Sequence, residues 1–152
     1  MLENQIALVT GASRGIGSAI ADAIGNSGAT VIGTATSEAG AAAITERFKA
    51  AGINGVGKVL NVTDADSIAG LIKEIAAEYG APTILVNNAG ITRDNLMLRM
   101  KDDEWSDIIE TNLSSIFRVS KACLRGMMKA QKGRIINVGS VVGATGNPGQ
   151  AN

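Results

Sequence analysis

Two patterns of apolar residues alternate along the chain. Short continuous apolar runs are typical of strands buried between two layers of helices. They predict five strands, at residues 6–9, 30–34, 56–62, 83–86 and 134–138. The longer stretches between them carry apolar side chains three and four positions apart, which is the spacing of one buried helix face. The clearest such stretch predicts these core residues: Ile68, Leu71, Ile72, Ile75 and Tyr79.

Helices are predicted between the strands, at residues 15–27, 39–51 and about 64–79. After the fourth strand, an irregular connection runs to Met100, and a long helical region in two parts follows at residues 102–129. Residues 139–152 are predicted to form a loop. The long helical region is expected to bury an apolar stripe: Ile109, Leu113, Ile116, Phe117, Leu124 and Met128.

This strict alternation of strand and helix predicts an α/β fold with a doubly wound (Rossmann) parallel sheet. The sheet has about five strands with helices on both faces, and a chain of 152 residues forms one domain, residues 1–152. Ligands of such sheets bind outside the carboxyl ends of the strands. The residues that directly follow each strand are therefore the candidates for function.

Composition narrows the chemistry. The 14 basic and 14 acidic residues balance, which argues against a nucleic acid or a membrane surface as a partner held by bulk charge. Histidine is absent and Cys123 is the only cysteine, so a Ser-His-Asp triad, a Cys-His pair and a zinc site of histidines and cysteines are not expected. An intrachain disulfide is equally excluded, which fits a reducing cytoplasm. Cys123 itself is expected to be an inert core residue.

The first strand leads into a glycine-rich turn, Thr10-Gly11-Ala12-Ser13-Arg14-Gly15-Ile16-Gly17, which opens a predicted helix. The N-terminus of a helix presents free N–H groups and a partial positive charge, so it can hold a phosphate. Gly11 would permit the tight turn, Gly15 would let the backbone approach a ligand, and Gly17 would let the helix lie close to the strand. A purely structural turn is the alternative for this spacing.

Small and amide residues also follow the other strands. Asn61-Val62-Thr63-Asp64 ends the third strand, Asn87-Asn88-Ala89-Gly90 follows the fourth, and Gly139-Ser140 follows the fifth. Together they predict a cleft for a large polar ligand, although asparagines at strand ends also serve as plain turn residues. Asn112 lies in a predicted helix, where it marks either a local kink or a solvated side chain.

These motifs together resemble the short-chain dehydrogenase/reductase family: Thr10-Gly11-x3-Gly15-x-Gly17, Asn87-Asn88-Ala89-Gly90 and Gly139-Ser140. Within the family, the runs at residues 87–96 and 139–143 are similar to bacterial 3-oxoacyl-[acyl-carrier-protein] reductases. The similarity extends over the whole chain, and family members are longer. The resemblance therefore implies that residues 1–152 form a single NADP-binding Rossmann domain that lacks the C-terminal part of the family's fold. It implies NADPH-dependent reduction of a 3-oxoacyl group carried by acyl carrier protein, in fatty acid biosynthesis, by a homotetramer.

The resemblance also implies a role for each matching residue. Ser140 would hydrogen-bond the substrate carbonyl oxygen and Asn112 would belong to the proton relay, so these two are the predicted catalytic residues. No metal site is predicted. The predicted cofactor-binding residues lie after four of the strands: Gly11, Ser13, Arg14, Gly15, Ile16, Gly17, Thr36, Asn61, Val62, Asn88, Ala89 and Gly90.

The predicted cofactor is NADP(H). An NAD-binding sheet usually has an acidic residue at the end of the second strand, where this chain has Thr34, Ala35 and Thr36. Arg14 and Thr36 are expected near the adenosine 2′-phosphate, while Glu38 keeps NAD as the alternative. Asn61 and Val62 are expected beside the adenine, and Asn88 on the nicotinamide side.

The family's general acid is a tyrosine, followed four positions later by a lysine that lowers the pKa of the tyrosine. In the family pattern, Gly149-Gln150-Ala151-Asn152 directly precedes that tyrosine, so residues 1–152 are expected to lack general-acid catalysis. One alternative function is therefore a non-catalytic nucleotide-binding fragment. Another is a short-chain reductase that acts on a different ketone.

Overall fold

A five-stranded parallel sheet runs through the computed structural model, which describes residues 1–152. The strands stand in the order β3-β2-β1-β4-β5, so the chain winds outward in one direction as far as β3 and then crosses to the other side of β1. The predicted doubly wound α/β fold is confirmed. The strands are β1 (Ile6–Val9), β2 (Thr30–Ala35), β3 (Gly55–Val59), β4 (Ile84–Asn87) and β5 (Arg134–Asn137).

Helices cover both faces of this sheet. Most of them lie close to the positions predicted from the apolar spacing, and two side chains cap their first turns: Ser37 accepts a hydrogen bond from the Gly40 N–H, and Asp64 accepts from the Asp66 and Ser67 N–H groups. No helix is both long and apolar enough to cross a bilayer. The helices are α1 (Gly15–Asn26), α2 (Glu38–Ala50), α3 (Ala65–Glu78), α4 (Asp102–Ile108), α5 (Ser115–Ala130) and α6 (Val142–Thr145).

The central strand β1 divides the core into two halves, because successive side chains of a strand point to opposite faces. Ala7 and Val9 are buried on the face covered by α1 and α2, together with Ile44 and Phe48. Leu8 is buried on the face covered by α3 and α5, in the same cluster as Cys123. All of these side chains are inaccessible to solvent or nearly so, which fixes the register of the sheet around β1.

Three of the predicted boundaries were wrong. The third strand ends at Val59 rather than residue 62, because a turn stabilised by the Asn61 side chain begins just after it. Residues 142–145 form the short helix α6 within the predicted loop. Tyr79 is not a core residue: α3 ends at Glu78, and Tyr79 follows as the C-cap with 37% of its surface exposed.

The predicted apolar stripe of the long helical region was also wrong in part. The face of α5 that packs on the sheet carries Ser115, Val119, Cys123 and Met127, spaced four residues apart. The helix is therefore apolar on two faces, and spacing alone does not say which of them meets the sheet. The predicted stripe instead includes side chains exposed to solvent: Leu113, Phe117, Leu124 and Met128.

Close contact between α2 and β3 leads to a stability prediction. A Cβ atom at Gly57 would overlap the Ala41 carbonyl oxygen of α2, so Gly57→Ala forces the helix away from the strand. We expect the full-length variant to lose about 2–3 kcal/mol of unfolding free energy, measured by urea titration.

Gly70→Ala is the matched control, because a Cβ at Gly70 in α3 would meet no atom within 4 Å. Alanine is the better helix former, so this variant should gain about 0.5–1 kcal/mol. Equal urea midpoints for the two variants would contradict the packing argument.

Candidate functional site

The glycine turn lies at the carboxyl end of β1, where the strand order reverses between β2 and β4. Gly11 has a φ of +67°, and a Cβ there would lie 2.9 Å from the Ala89 Cα atom. A Cβ at Gly17 would overlap the Gly11 carbonyl oxygen and the Asn88 side-chain amide. Glycine is therefore required at both positions, since α1 packs directly on the turn that follows β4.

The Thr10 hydroxyl joins the glycine turn to the segment after β4. Its oxygen accepts hydrogen bonds from the Asn88 and Ala89 N–H groups, each at 3.0 Å, and donates to the Val86 carbonyl at 3.3 Å. The Asn88 side-chain nitrogen in turn donates to the Thr10 and Gly11 carbonyl oxygens, each at 3.0 Å. The two turns thus form one hydrogen-bonded unit.

The Asn88 side-chain nitrogen is therefore occupied by hydrogen bonds within this unit. The predicted contact of Asn88 with the nicotinamide stays a prediction. Sequence reasoning did not identify Thr10 as a site residue. The available signal was a threonine at the last position before the glycine turn, where a buried hydroxyl needs partners.

The segment that opens α1 is exposed and free to meet an anion. Ser13, Arg14, Gly15 and Ile16 are all solvent-exposed, and the first turn of α1 carries no acidic residue. The Arg14 side chain makes no hydrogen bond or ion pair with the rest of the chain. A Cβ at Gly15 would meet no atom within 4 Å, so space lies beside this backbone. These properties suit a phosphate held by helix N–H groups and an arginine.

The residues that follow β2 and β3 offer fewer groups to a ligand than the glycine turn does. Thr36 is exposed directly after β2, and Glu38 is exposed as the first residue of α2. The Asn61 side-chain oxygen accepts hydrogen bonds from the Thr63 N–H at 3.0 Å and the Thr63 hydroxyl at 2.8 Å, which fits its alternative interpretation as a turn residue. Val62 is 7% exposed and packs in the core, so little of its side chain is available to a ligand.

Asn112 lies in a π-helical turn, Ile109–Ser114, that joins α4 to α5. This departure from regular α-helix is consistent with the predicted local kink, and the predicted catalytic role of Asn112 stays a prediction. Its side-chain oxygen accepts from the Ile91 N–H and its side-chain nitrogen donates to the Ile91 carbonyl, both at 2.9 Å. Asn112 therefore fixes the backbone just after Gly90. Turns of this kind are frequent at functional sites.

Asn112 and Ser140 line the same cavity, which has a volume of about 650 Å³. The Ser140 oxygen accepts a hydrogen bond from the Val142 N–H at 3.2 Å, at the start of α6. Other lining residues come from the segments after β4 and after α6, and include Ile91, Thr92, Arg93, Gly149, Gln150 and Asn152.

Contacts between those two segments close one side of the cavity, and sequence reasoning missed them. The Asn95 N–H donates to the Gly149 carbonyl at 2.8 Å, and the Asn152 side chain donates to the Arg93 carbonyl at 2.9 Å. Glu104 supports this wall from α4. Its pKa is lowered because the Lys101 N–H and the Asn95 side-chain amide donate to its carboxylate.

One candidate nucleophile, Cys123, and one candidate acid, Tyr79, lie away from the cavity. Cys123 is buried in the core on the face of α5 that packs on the sheet, as predicted, and burial raises the pKa of its thiol to about 12, so it stays protonated near neutral pH. Tyr79 follows α3 just ahead of β4, at the amino edge of the sheet. It therefore lies at the opposite edge from Ser140.

The family model described as short chain dehydrogenase matches residues 5–152. The chain belongs to the short-chain dehydrogenase family. The chain is 68% identical over 151 residues to the 3-oxoacyl-[acyl-carrier-protein] reductase FabG of Vibrio harveyi, and the match covers 99% of the chain and 61% of that relative.

Two further relatives carry the same name. FabG of Escherichia coli (strain K12) is 65% identical over 150 residues, covering 99% of the chain and 60% of the relative. FabG of Pseudomonas aeruginosa is 61% identical over 151 residues, covering 99% of the chain and 61% of the relative. The chain thus spans about three fifths of the length of these relatives.

Membership of the short-chain dehydrogenase family implies a nicotinamide cofactor. The residues at the carboxyl edge of the sheet, which is the edge where the strands end, fit such a cofactor. The open space beside Gly15 and the unpaired Arg14 suit the phosphates. The hydrogen-bonded unit formed by Thr10 and Asn88 lies at the same end of the sheet as the cavity lined by Asn112 and Ser140.

Proposed function

We propose that the full-length protein reduces 3-oxoacyl-[acyl-carrier-protein] to 3-hydroxyacyl-[acyl-carrier-protein], with NADPH as reductant, in fatty acid biosynthesis. The observation that carries this proposal is the cavity shared by Ser140 and Asn112, at the same end of the sheet as the glycine turn. The names of the relatives support the choice of substrate, since each is a 3-oxoacyl-[acyl-carrier-protein] reductase. The predicted cytoplasmic location stays a prediction.

Different residues along the carboxyl edge of the sheet would bind the cofactor and contact the substrate. Gly11, Ser13, Arg14 and Ile16 would hold the phosphates and ribose of the cofactor, which when bound supplies a hydride to the substrate carbonyl carbon. The Ser140 hydroxyl would donate a hydrogen bond to the carbonyl oxygen and stabilise the negative charge that develops there. Asn112 would keep the wall around Ile91 in place and contribute to the proton relay.

A general acid must protonate that oxygen, and Tyr79 does not serve because it lies at the amino edge of the sheet. The resemblance instead assigns the acid to a tyrosine that follows Asn152 in the family pattern. The contacts of Asn152 and Gly149 with the segment at residues 93–95 support this assignment, since they hold the end of the chain against the cavity.

NADP is the proposed cofactor. Arg14 is exposed and has no partner within the chain, so its guanidinium is available to a 2′-phosphate. Thr36 supplies a neutral side chain at the end of β2, where an acidic one would repel that phosphate. Glu38 is the acidic residue nearest to Thr36 in the sequence, and its position at the N-terminus of α2 favours its charge there without a ligand.

Two surfaces support the proposed partners. Exposed cations at the end of α5 and the start of β5 would meet the acidic acyl carrier protein: Arg125, Lys129, Lys132 and Arg134. The exposed apolar face of α5 supports a homotetramer, because a large apolar helix face on a soluble protein is normally covered by a partner. Phe117 is 65% exposed near the middle of this face.

The reductase activity can be tested with the full-length protein and acetoacetyl-[acyl-carrier-protein]. NADPH oxidation is expected, and Ser140→Ala should lower kcat by about 100-fold or more because the developing oxyanion loses its hydrogen bond. Ser106→Ala is the control, since Ser106 is exposed on α4 and makes no side-chain hydrogen bond. Absence of turnover by the wild type would refute the proposal.

The cofactor preference can be tested by calorimetric titration of the full-length protein with NADP⁺ and NAD⁺. Arg14→Ala should weaken NADP⁺ binding by about tenfold, through loss of a charge-assisted contact, and change NAD⁺ binding much less. Arg99→Ala removes another exposed arginine and serves as the control. Tighter binding of NAD⁺ than of NADP⁺ by the wild type would contradict the roles given to Arg14 and Thr36.

The oligomer can be tested by sedimentation velocity. Phe117→Glu places a charge on the apolar face of α5 and should convert a tetramer into smaller species, whereas Lys73→Glu on the exposed face of α3 should not. A wild-type protein that sediments as a monomer at micromolar concentration would rule out the tetramer.

A further inference from the structure

Arg47 on α2 reaches across to the glycine turn. Its Nη2 atom donates to the Ala12 carbonyl oxygen at 2.9 Å, and its Nε atom donates to an Asp22 carboxylate oxygen of α1 at 3.0 Å. The guanidinium carbon also lies 5.2 Å from the centre of the Phe48 ring. The side chain is 27% exposed, so these contacts are partly shielded from water.

Ala12 is the residue through which this contact acts. It is completely buried, and its N–H donates to the Thr34 carbonyl of β2 at 2.8 Å. Its carbonyl oxygen faces the opposite way and is held by Arg47. Ala12 is therefore fixed on one side by the sheet and on the other by α2.

Because of its glycines, the backbone around Ala12 has little intrinsic preference for one conformation. Gly11 and Gly15 both have positive φ values, +67° and +57°, and glycine gives up more conformational freedom than any other residue when it is ordered. A turn with a glycine at each end needs external contacts to stay in one conformation. Arg47 supplies the contact from α2, as Asn88 supplies contacts from the segment after β4.

We propose that Arg47 is a positioning residue for the phosphate-binding turn, which it holds in the conformation that receives the cofactor. The inference rests on the proposed function, since it assumes that the turn binds a dinucleotide. Asp22 lies against the guanidinium and offsets its charge, so Arg47 acts through geometry and contributes little to the electric field at the phosphates. Nothing in the motif spacing points to this residue, which lies 30 positions beyond Gly17.

The test uses Arg47→Met in the full-length protein, because methionine keeps an unbranched stem beside Phe48 and removes both hydrogen bonds. NADP⁺ binding measured by calorimetry should weaken by about fivefold to tenfold. Arg47→Lys keeps one of the two contacts and should fall between the variant and the wild type. Asp22→Asn should change the affinity by less than about twofold, since the bond to Ala12 remains.

Steady-state kinetics separate positioning from general stability. Arg47→Met should raise KM for NADPH while kcat and KM for the thioester stay within about twofold of the wild type. Lys58→Met is the matched control, because it breaks the 2.6 Å ion pair with Glu74 between β3 and α3, away from the turn. This control should change the urea midpoint without changing KM for NADPH.

Hydrogen exchange supplies a measurement without ligand. Amide protons at residues 12–17 should exchange faster in Arg47→Met than in the wild type or in Lys58→Met. Equal NADP⁺ affinity and equal exchange for Arg47→Met and the wild type would overturn this inference alone. A wild type that binds neither dinucleotide would overturn the proposed function and this inference together.

Discussion

The close approach of α1 to the segment after β4 is the constraint on which the whole carboxyl edge depends. Gly17 lies against the Gly11 carbonyl and the Asn88 amide, and the buried Thr10 hydroxyl satisfies two backbone N–H groups that would otherwise lack partners. An unpaired buried N–H group costs about 1–3 kcal/mol, so these contacts have few tolerable alternatives. They fix where β1 and β4 end and where α1 begins relative to one another, and with them the space for a ligand.

The sheet could be predicted from sequence because most of its strands read as continuous apolar runs, and the inner strands β1, β2 and β4 are buried on both faces. The face of α5 that meets the sheet could not. This helix carries a row with Ser115 and Val119 that packs on the sheet and a second row with Phe117 that does not, and only the tertiary structure distinguishes them. The prediction that Tyr79 is a core residue was wrong for a related reason. The helical spacing of apolar residues continues through Tyr79, which lies beyond the last turn of α3.

Some features of the site could likewise be predicted from sequence, and others could not. Glycine spacing predicted the turn, because positive φ and close packing demand a particular residue there. The pairing of Asn112 with Ile91 and the wall that brings Asn152 to Arg93 join residues 21 and 59 positions apart, and no local pattern encodes such contacts. Arg47 belongs to this second group. Its sequence context is that of an ordinary charged residue near the end of a helix, and its bond to Ala12 follows from how α2 lies on the sheet.

The π-helical turn at Ile109–Ser114 also restricts how this part of the chain can change over evolution. A turn with wider hydrogen-bond spacing accommodates an extra residue within a helix. Deleting one residue there would restore regular α-helical spacing, and α5 could keep its face on the sheet because the wide turn already absorbs the extra residue. Asn112 would then lose its position beside Ile91, whose N–H and carbonyl it holds. The wide turn therefore serves the placement of Asn112, and a shorter segment could keep the core while losing that contact.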